Sequence, residues 1–92
     1  MFYIVAYDIT DNKIRTKLSN LLDNYGYRVN YSVYELNINQ TKLNRLLKEI
    51  DKLKFSKFDS IRFYHIHQNS IDKSFELIKN NPNPFDIQEF FV

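Results

Sequence analysis

Apolar and polar positions along the chain predict four β-strands. Residues 1–7 form a nearly continuous apolar run that ends at Asp8, a pattern typical of a central strand covered on both faces. Tyrosine and valine alternate with polar residues over residues 27–33, which predicts a half-buried strand that kinks near Ser32 and continues as a further strand to Ile38. Residues 60–66 alternate in the same way and predict the last strand.

Helical spacing separates these strands at two places. Over residues 12–25, apolar positions recur every three or four residues and predict an amphipathic helix with Thr10 or Asp11 as its N-cap. Gly26, the only glycine, stands where a left-handed C-cap is expected. A second helix is predicted after a candidate cap at Asn39. The apolar positions of the two helices are Ile14, Leu18, Leu21, Leu22 and Tyr25, followed by Leu43, Leu46, Leu47, Ile50 and Leu53.

The order of these elements indicates the fold class. Strand, helix, two strands, helix and strand match the ferredoxin-like βαββαβ plan, an α+β architecture in which an antiparallel sheet carries both helices on one face. The chain has no internal repeat and no long linker, so residues 1–92 are expected to form a single domain.

The last quarter of the chain leaves two interpretations open. Ile71, Phe75 and Ile78 have helical spacing, whereas residues 75–78 are equally compatible with a short strand before the Asn- and Pro-rich residues 80–84. Residues 85–92 form an apolar terminal segment. Because an exposed tail of that composition would be prone to aggregation, residues 75–92 are expected to supply an extra C-terminal strand that pairs with a sheet edge in this chain or another.

Composition adds limits on the class of protein. With 92 residues, 43% hydrophobic and 26% charged, the chain is one small globular domain whose thin core makes a dimer expected. It has no cysteine, which excludes disulfides, thiolate metal sites and cysteine nucleophiles and fits a reducing cytoplasm. The apolar start is too short for a signal peptide or a membrane span. A net charge of +2 neither requires nor excludes a nucleic acid partner.

Asp8 is the main candidate for chemistry, because it lies where a central strand gives way to the loop before a helix. A capping or turn aspartate is the simpler interpretation. The functional one is a hard oxygen ligand for Mg²⁺, which commonly takes one or two protein carboxylates and keeps several waters. A two-fold dimer that brings two copies of Asp8 together would supply both carboxylates, and a metal there could activate water beside a phosphodiester.

Basic and aromatic side chains provide weaker signals. Arg15 and Lys17 on the first helix and Arg28 on the second strand could place positive charge near Asp8 for nucleic acid binding, although each is also an ordinary solvated cation. Tyr31 and Tyr34 could stack on bases, although aromatic residues are more often part of the core. His65 and His67 point to one face of a strand and could form half of a metal site, but no partner cluster lies near them in sequence.

Two segments together resemble a known family. The opening FYIVAYDITDNKIRTKL, the segment NYGYRVNYSVYEL and the length near ninety residues are similar to the small CRISPR-associated protein Cas2 family, the partner of the spacer integrase. The most specific features are Tyr7-Asp8-Ile9 at the end of the strand, the basic first helix and the segment 28–34. The resemblance covers nearly the whole chain.

The resemblance implies a ferredoxin-like homodimer whose C-terminal strand crosses to the partner. It implies that Asp8 is the catalytic, metal-binding residue at the dimer interface, with Mg²⁺ or Mn²⁺ as cofactor and single-stranded RNA or double-stranded DNA as substrate. Arg15 and Arg28 match family arginines associated with activity, and Tyr34 matches a functional aromatic. The implied role is spacer acquisition, in which the dimer bridges two integrase dimers and holds the protospacer duplex.

Other functions remain open from the sequence. The same dimer could be a non-catalytic DNA-binding scaffold of that complex. A toxin-type ribonuclease that acts without an integrase shares this small dimeric fold. A ligand-sensing module is a further alternative, although the single glycine does not permit a Gly-rich phosphate loop.

Overall fold

A computed structural model describes residues 1–78 and 84–85 and has the predicted ferredoxin-like α+β fold. The strands form one antiparallel sheet in the order β2-β3-β1-β4, so that the first strand is central. The strands are β1 (Phe2–Asp8), β2 (Gly26–Asn30), β3 (Val33–Asn37) and β4 (Ser60–Ile66), and the helices are α1 (Asn12–Asp23), α2 (Gln40–Asp51) and α3 (Gln68–Lys73).

The core lies between one face of the sheet and the two long helices. Alternate residues of a strand point to opposite faces, and Val5 and Tyr7 of β1 lie on the face that the helices cover. The buried residues that pack together there are Val5, Tyr7, Ile9, Leu18, Leu22, Tyr25, Tyr34, Leu36, Ile38, Leu43, Leu46 and Ile50. The opposite face of the sheet, which we call the open face, carries Phe2, Ile4 and Ala6, all of which are only partly buried.

Both long helices begin as the sequence predicts. The side chain of Asp11 accepts hydrogen bonds from the backbone N–H groups of Lys13 and Ile14, and that of Asn39 accepts one from Lys42. These carboxylate and amide oxygens satisfy donors that have no partner within the helix. Tyr25, which follows α1, makes a hydrogen bond to α2: its hydroxyl donates to Glu49 Oε1 at 2.7 Å. Burial, followed by this hydrogen bond, raises the pKa of Tyr25 to about 12.

Gly26 does not have the role expected from its position. The α1 C-cap is Asn24 in a right-handed conformation, and Gly26 does not have a positive φ. Gly26 instead begins β2 opposite Leu36, where a Cβ would collide with the carbonyl oxygen of Glu35 and lie 2.5 Å from Leu36 Cδ2. The glycine is therefore needed for the close approach of two strands, and the predicted left-handed cap is wrong.

The predicted half-burial of the second strand is also wrong. Tyr27 and Val29 are 52% and 41% exposed, and Tyr31 in the following turn is 90% exposed. Within the described residues, β2 lies at the edge of the sheet and pairs with β3 alone, and its register shifts between Arg28 and Asn30. Alternation shows which side chains share a face, but it does not show whether another element covers that face.

The last quarter follows neither predicted pattern. A short helix ends at Lys73, and residues 74–78 have no regular secondary structure, so the helical spacing through Ile78 and the strand over residues 75–78 are both incorrect for this chain. Phe85 packs on the open face, with its ring centroid 5.4 Å from that of Phe2 and its N–H donating to Glu35 Oε1 at 3.1 Å. The predicted C-terminal strand spans residues 75–92, of which residues 79–83 and 86–92 lie outside the described residues, so its pairing with another sheet edge stays a prediction.

Within residues 1–78 and 84–85, every helix is too short and too polar to cross a membrane.

Candidate active site at the end of strand β1

Asp8 is the last residue of β1 and lies opposite Ser60 of β4. By strand alternation its side chain belongs to the open face, and it is exposed. The loop that follows is fixed by Asp59, whose Oδ1 accepts hydrogen bonds from the backbone N–H and the hydroxyl of Thr10 at 2.9 and 3.0 Å. Asp8 therefore lies at a strand end whose connecting loop is held in place.

A cavity of about 480 Å³ brings Asp8 together with two predicted basic residues. Arg15 of α1 and Arg28 of β2 both line it, as do Ser19 and the turn residue Tyr31. Asp8 and the two arginines thus line one cavity at the end of β1, although strand alternation places the Asp8 side chain on the open face. Two guanidinium groups at one cavity can bind a phosphate next to Asp8.

Two side chains, Tyr34 and Ser19, hold Arg28 at the cavity wall. Its Nε donates to the Tyr34 hydroxyl at 3.2 Å, and its Nη2 donates to Ser19 Oγ at 2.5 Å. The Tyr34 hydroxyl lies 2.6 Å from Asp23 Oδ1, to which it donates. The hydrogen bond to Tyr34 is the main cause of the raised pKa of Arg28, and burial, followed by the bond to Asp23, raises the pKa of Tyr34.

The remaining predicted residues fall in different places. Arg15 Nη1 donates to the carbonyl oxygen of Ile9 at 3.1 Å, which holds this side chain against the β1–α1 loop. Lys17 is exposed and does not line the cavity. The Tyr34 ring is buried, so of the two tyrosines considered for base stacking, Tyr31 is the one that presents its ring to solvent.

Sequence reasoning missed Ser19 and Asp23. Arg15, Ser19 and Asp23 recur every four residues along α1, so they lie on one helical face. This polar stripe beside an apolar one was the signal in the sequence. The sequence does not show what this stripe contacts, because Arg28, which connects it to the site, lies on a strand whose pairing is visible only in the folded chain.

The ligands for a divalent metal are few. Among the described residues, no group of three or more His, Cys, Asp or Glu side chains is placed to hold a metal. The ring centroids of His65 and His67 lie 5.8 Å apart. No third His, Cys, Asp or Glu among the described residues joins them in a possible metal site. Of the described residues that line the cavity, Asp8 is the one with a carboxylate, the hard oxygen ligand that Mg²⁺ prefers.

Asp59, which holds the loop between β1 and α1, makes the stability of the fold depend on pH. Hydrogen bonds from Thr10 and then Ser56 lower the pKa of Asp59 below its ordinary value of 3.8. The ionised carboxylate therefore stabilises the fold above about pH 3.8, and this contribution is lost as the pH falls through the lowered folded-state pKa. We expect Asp59→Asn to reduce the free energy of unfolding at pH 7 but to have a smaller effect at pH 2.

Urea unfolding of the wild type and Asp59→Asn at both pH values measures this difference. Asp51→Asn is the control, because Asp51 is exposed and its carboxylate has no described hydrogen bond. An equal loss of stability at pH 7 and pH 2 would contradict the role assigned to the ionised carboxylate.

Comparison with known proteins identifies the family. Residues 1–74 match the family described as CRISPR associated protein Cas2. A CRISPR-associated endoribonuclease Cas2 of Synechocystis is 42% identical over 69 residues, which cover 75% of each chain. The crystal structure of Streptococcus pyogenes Cas2 at pH 6.5 is similar with a TM-score of 0.73 and 27% identity, covering 84% of this chain and 99% of that one.

A further solved structure is that of a partial Cas6-RT-Cas1–Cas2 complex. One of its chains is similar with a TM-score of 0.59 and 28% identity, and the match covers 95% of this chain and 98% of that one. The family match extends from β1 through α3, so it includes all the residues that line the cavity. The chain belongs to the CRISPR-associated protein Cas2 family.

Proposed function

We propose that this chain is a metal-dependent endonuclease that acts as a homodimer in CRISPR adaptation in the cytoplasm. The observation that carries the proposal is the placement of Asp8, Arg15 and Arg28 around one cavity. A relative with 42% identity is named an endoribonuclease, and a chain of a Cas1–Cas2 complex has a similar fold. We therefore infer a nuclease function and an integrase partner.

In this proposal, Arg28 and Arg15 bind the phosphate of the phosphodiester. The Arg28 guanidinium, with two of its donors engaged by Tyr34 and Ser19, offers its other N–H groups to a phosphate oxygen. Arg15 adds a second positive charge at the same cavity. Fixed guanidinium groups stabilise the negative charge that develops on the phosphate oxygens during cleavage.

Asp8 orients the attacking water and is the chain's metal ligand in this proposal. Bound Mg²⁺ or Mn²⁺ would lower the pKa of that water and polarise the phosphate. Because one carboxylate is a poor metal site, the second ligand is Asp8 of a second copy of this chain. The position of Asp8 on the open face favours a dimer in which the two open faces meet.

Exposed apolar residues support the dimer. In the described part of the chain, Phe75, Leu77 and Ile78 are 72%, 81% and 88% exposed. Exposed apolar side chains that follow one another in this way are suited to burial against another chain. A second copy of this chain would cover them in the proposed dimer.

Removal of the metal tests the enzymatic proposal. We expect single-stranded RNA or double-stranded DNA to be cut by the purified chain with Mg²⁺ or Mn²⁺ and to remain intact with a chelator. Readdition of metal restores cutting, which separates metal dependence from damage to the protein. Cutting that persists in chelator would contradict a metal-dependent reaction.

A DNA-binding scaffold is the second candidate, favoured by the structural likeness to a chain of a Cas1–Cas2 complex. In that case the dimer binds duplex DNA through phosphate contacts and cleaves nothing. Affinity would fall steeply with salt, because phosphate contacts release counterions. Absence of cutting under all metal conditions, together with salt-sensitive binding of duplex DNA, would replace the nuclease proposal with this one.

A further inference from the structure

We propose that Asp23 is a positioning residue that, through the Tyr34 hydroxyl, fixes the orientation of the Arg28 guanidinium in the Asp8 cavity. The inference rests on the proposed function, because it assigns a role to a residue that supports the phosphate-binding arginine. Asp23 does not line the cavity; its hydrogen bond reaches Arg28 through Tyr34, and its charge is a smaller, direct cause of the raised pKa of Arg28. We call the connected side chains Asp23, Tyr34 and Arg28 the relay.

The hydrogen bonds of the relay run in one direction. A tyrosine hydroxyl has one proton, and Asp23 Oδ1 at 2.6 Å is a nearer and more strongly accepting partner than the Ser19 carbonyl oxygen at 3.1 Å. When the proton is donated to Asp23, the oxygen lone pairs of Tyr34 face other donors. One of these is Arg28 Nε at 3.2 Å.

Two anchors on one planar group determine its orientation. Tyr34 holds Arg28 at Nε, and Ser19 holds it at Nη2, so both the position and the plane of the guanidinium are fixed. The Tyr34 ring that carries the hydroxyl is fully buried and lies 5.6 Å from the guanidinium carbon, and therefore moves little. Asp23 sets which way the hydroxyl points.

Asp23 is not expected to be required for folding. It is exposed and is the last residue of α1, where the negative end of the helix dipole disfavours a carboxylate. Replacement by asparagine removes that charge and keeps the shape of the side chain and an acceptor oxygen, so it weakens the hydrogen bond from Tyr34 to that of a neutral acceptor. A loss of activity in Asp23→Asn without a loss of stability therefore indicates positioning rather than folding.

The first test compares Asp23→Asn, Tyr34→Phe and the control Asp51→Asn, which removes a carboxylate from the last residue of α2. We expect the two relay variants to lower kcat about 10-fold, with a smaller change in KM, because a displaced guanidinium reduces stabilisation of the transition state. Asp51→Asn is expected to match the wild type. Full kcat in both relay variants would overturn the proposal.

The double variant Asp23→Asn/Tyr34→Phe separates positioning from an independent structural effect. If Asp23 acts through the Tyr34 hydroxyl, the double variant has the same kcat as Tyr34→Phe alone. If the two losses multiply, Asp23 acts by another route and the relay is wrong.

A measurement on the uncleaved protein keeps the test independent of nuclease activity. The NMR signal of Arg28 Nε–H is expected to exchange slowly with water in the wild type and at least several-fold faster in Asp23→Asn and Tyr34→Phe. If the wild type cuts nothing but shows this protection, the proposed function fails while the relay stands. If exchange is equally fast in all three proteins, the relay fails whatever the activity.

Discussion

Asp8→Ala is expected to lower the rate of metal-dependent cleavage by roughly 100-fold or more, because the change removes the chain's one proposed metal ligand. In a two-fold dimer a single substitution in the gene removes both carboxylates at once. The remaining arginines still bind the phosphate, so we expect nucleic acid binding to persist. The measurement is a single-turnover cleavage rate with Mg²⁺, together with an affinity for the uncleaved substrate in chelator.

The variant should remain folded. Asp8 is exposed at the end of β1, and the described residues include no hydrogen bond to its side chain. The urea midpoint and the oligomeric state of Asp8→Ala should therefore equal those of the wild type. Asp51→Ala serves as the matched control for loss of an exposed carboxylate away from the cavity. Cleavage at the wild-type rate by Asp8→Ala would exclude Asp8 as the metal ligand.

Gly26→Ala is expected to cause the largest loss of stability from a single methyl group in this chain. The added Cβ would overlap the backbone oxygen of Glu35 and approach Leu36 Cδ2 to 2.5 Å. A backbone atom in a paired strand cannot move aside as a flexible side chain can. We expect a decrease of about 3 kcal/mol in the free energy of unfolding, at the upper end of the usual cost of overpacking.

Urea unfolding measures this decrease. Asn24→Ala is the control, because Asn24 is an exposed residue two positions away in the same connection between α1 and β2. If Gly26→Ala unfolds at the wild-type midpoint, β2 and β3 do not approach as closely as the structure indicates. If Gly26→Ala and Asn24→Ala lower the free energy of unfolding equally, the close approach of β2 and β3 is likewise contradicted.

Most of the fold could be predicted from the sequence because local patterns determine it. The helix starts at Asp11 and Asn39 depend on side chains that bond to the next turn, and such contacts lie within three residues. The order of the elements then leaves few arrangements, and the ferredoxin-like sheet is one of them. Asp8, Arg15 and Arg28 were identified in advance as a possible group, although not their common cavity.

What could not be predicted depends on contacts between distant residues. The need for Gly26 comes from Glu35, nine positions later, and becomes visible only when β2 pairs with β3. The link from Asp23 to Arg28 passes through a tyrosine on a third element. Sequence patterns give the face on which a side chain lies, but not the partner that it meets there.

The bond between Tyr25 and Glu49 gives this protein an optical marker of its helix packing. The chain has seven tyrosines and no tryptophan, so its near-ultraviolet absorbance comes from tyrosine rings. Burial and the hydrogen bond to Glu49 raise the pKa of Tyr25 to about 12 in the folded protein, whereas an unfolded tyrosine ionises near pH 10. Tyr7 and Tyr34 also have raised pKa values, so the tyrosinate absorbance that develops above pH 10 reports, without any label, on the packing of these three buried tyrosines.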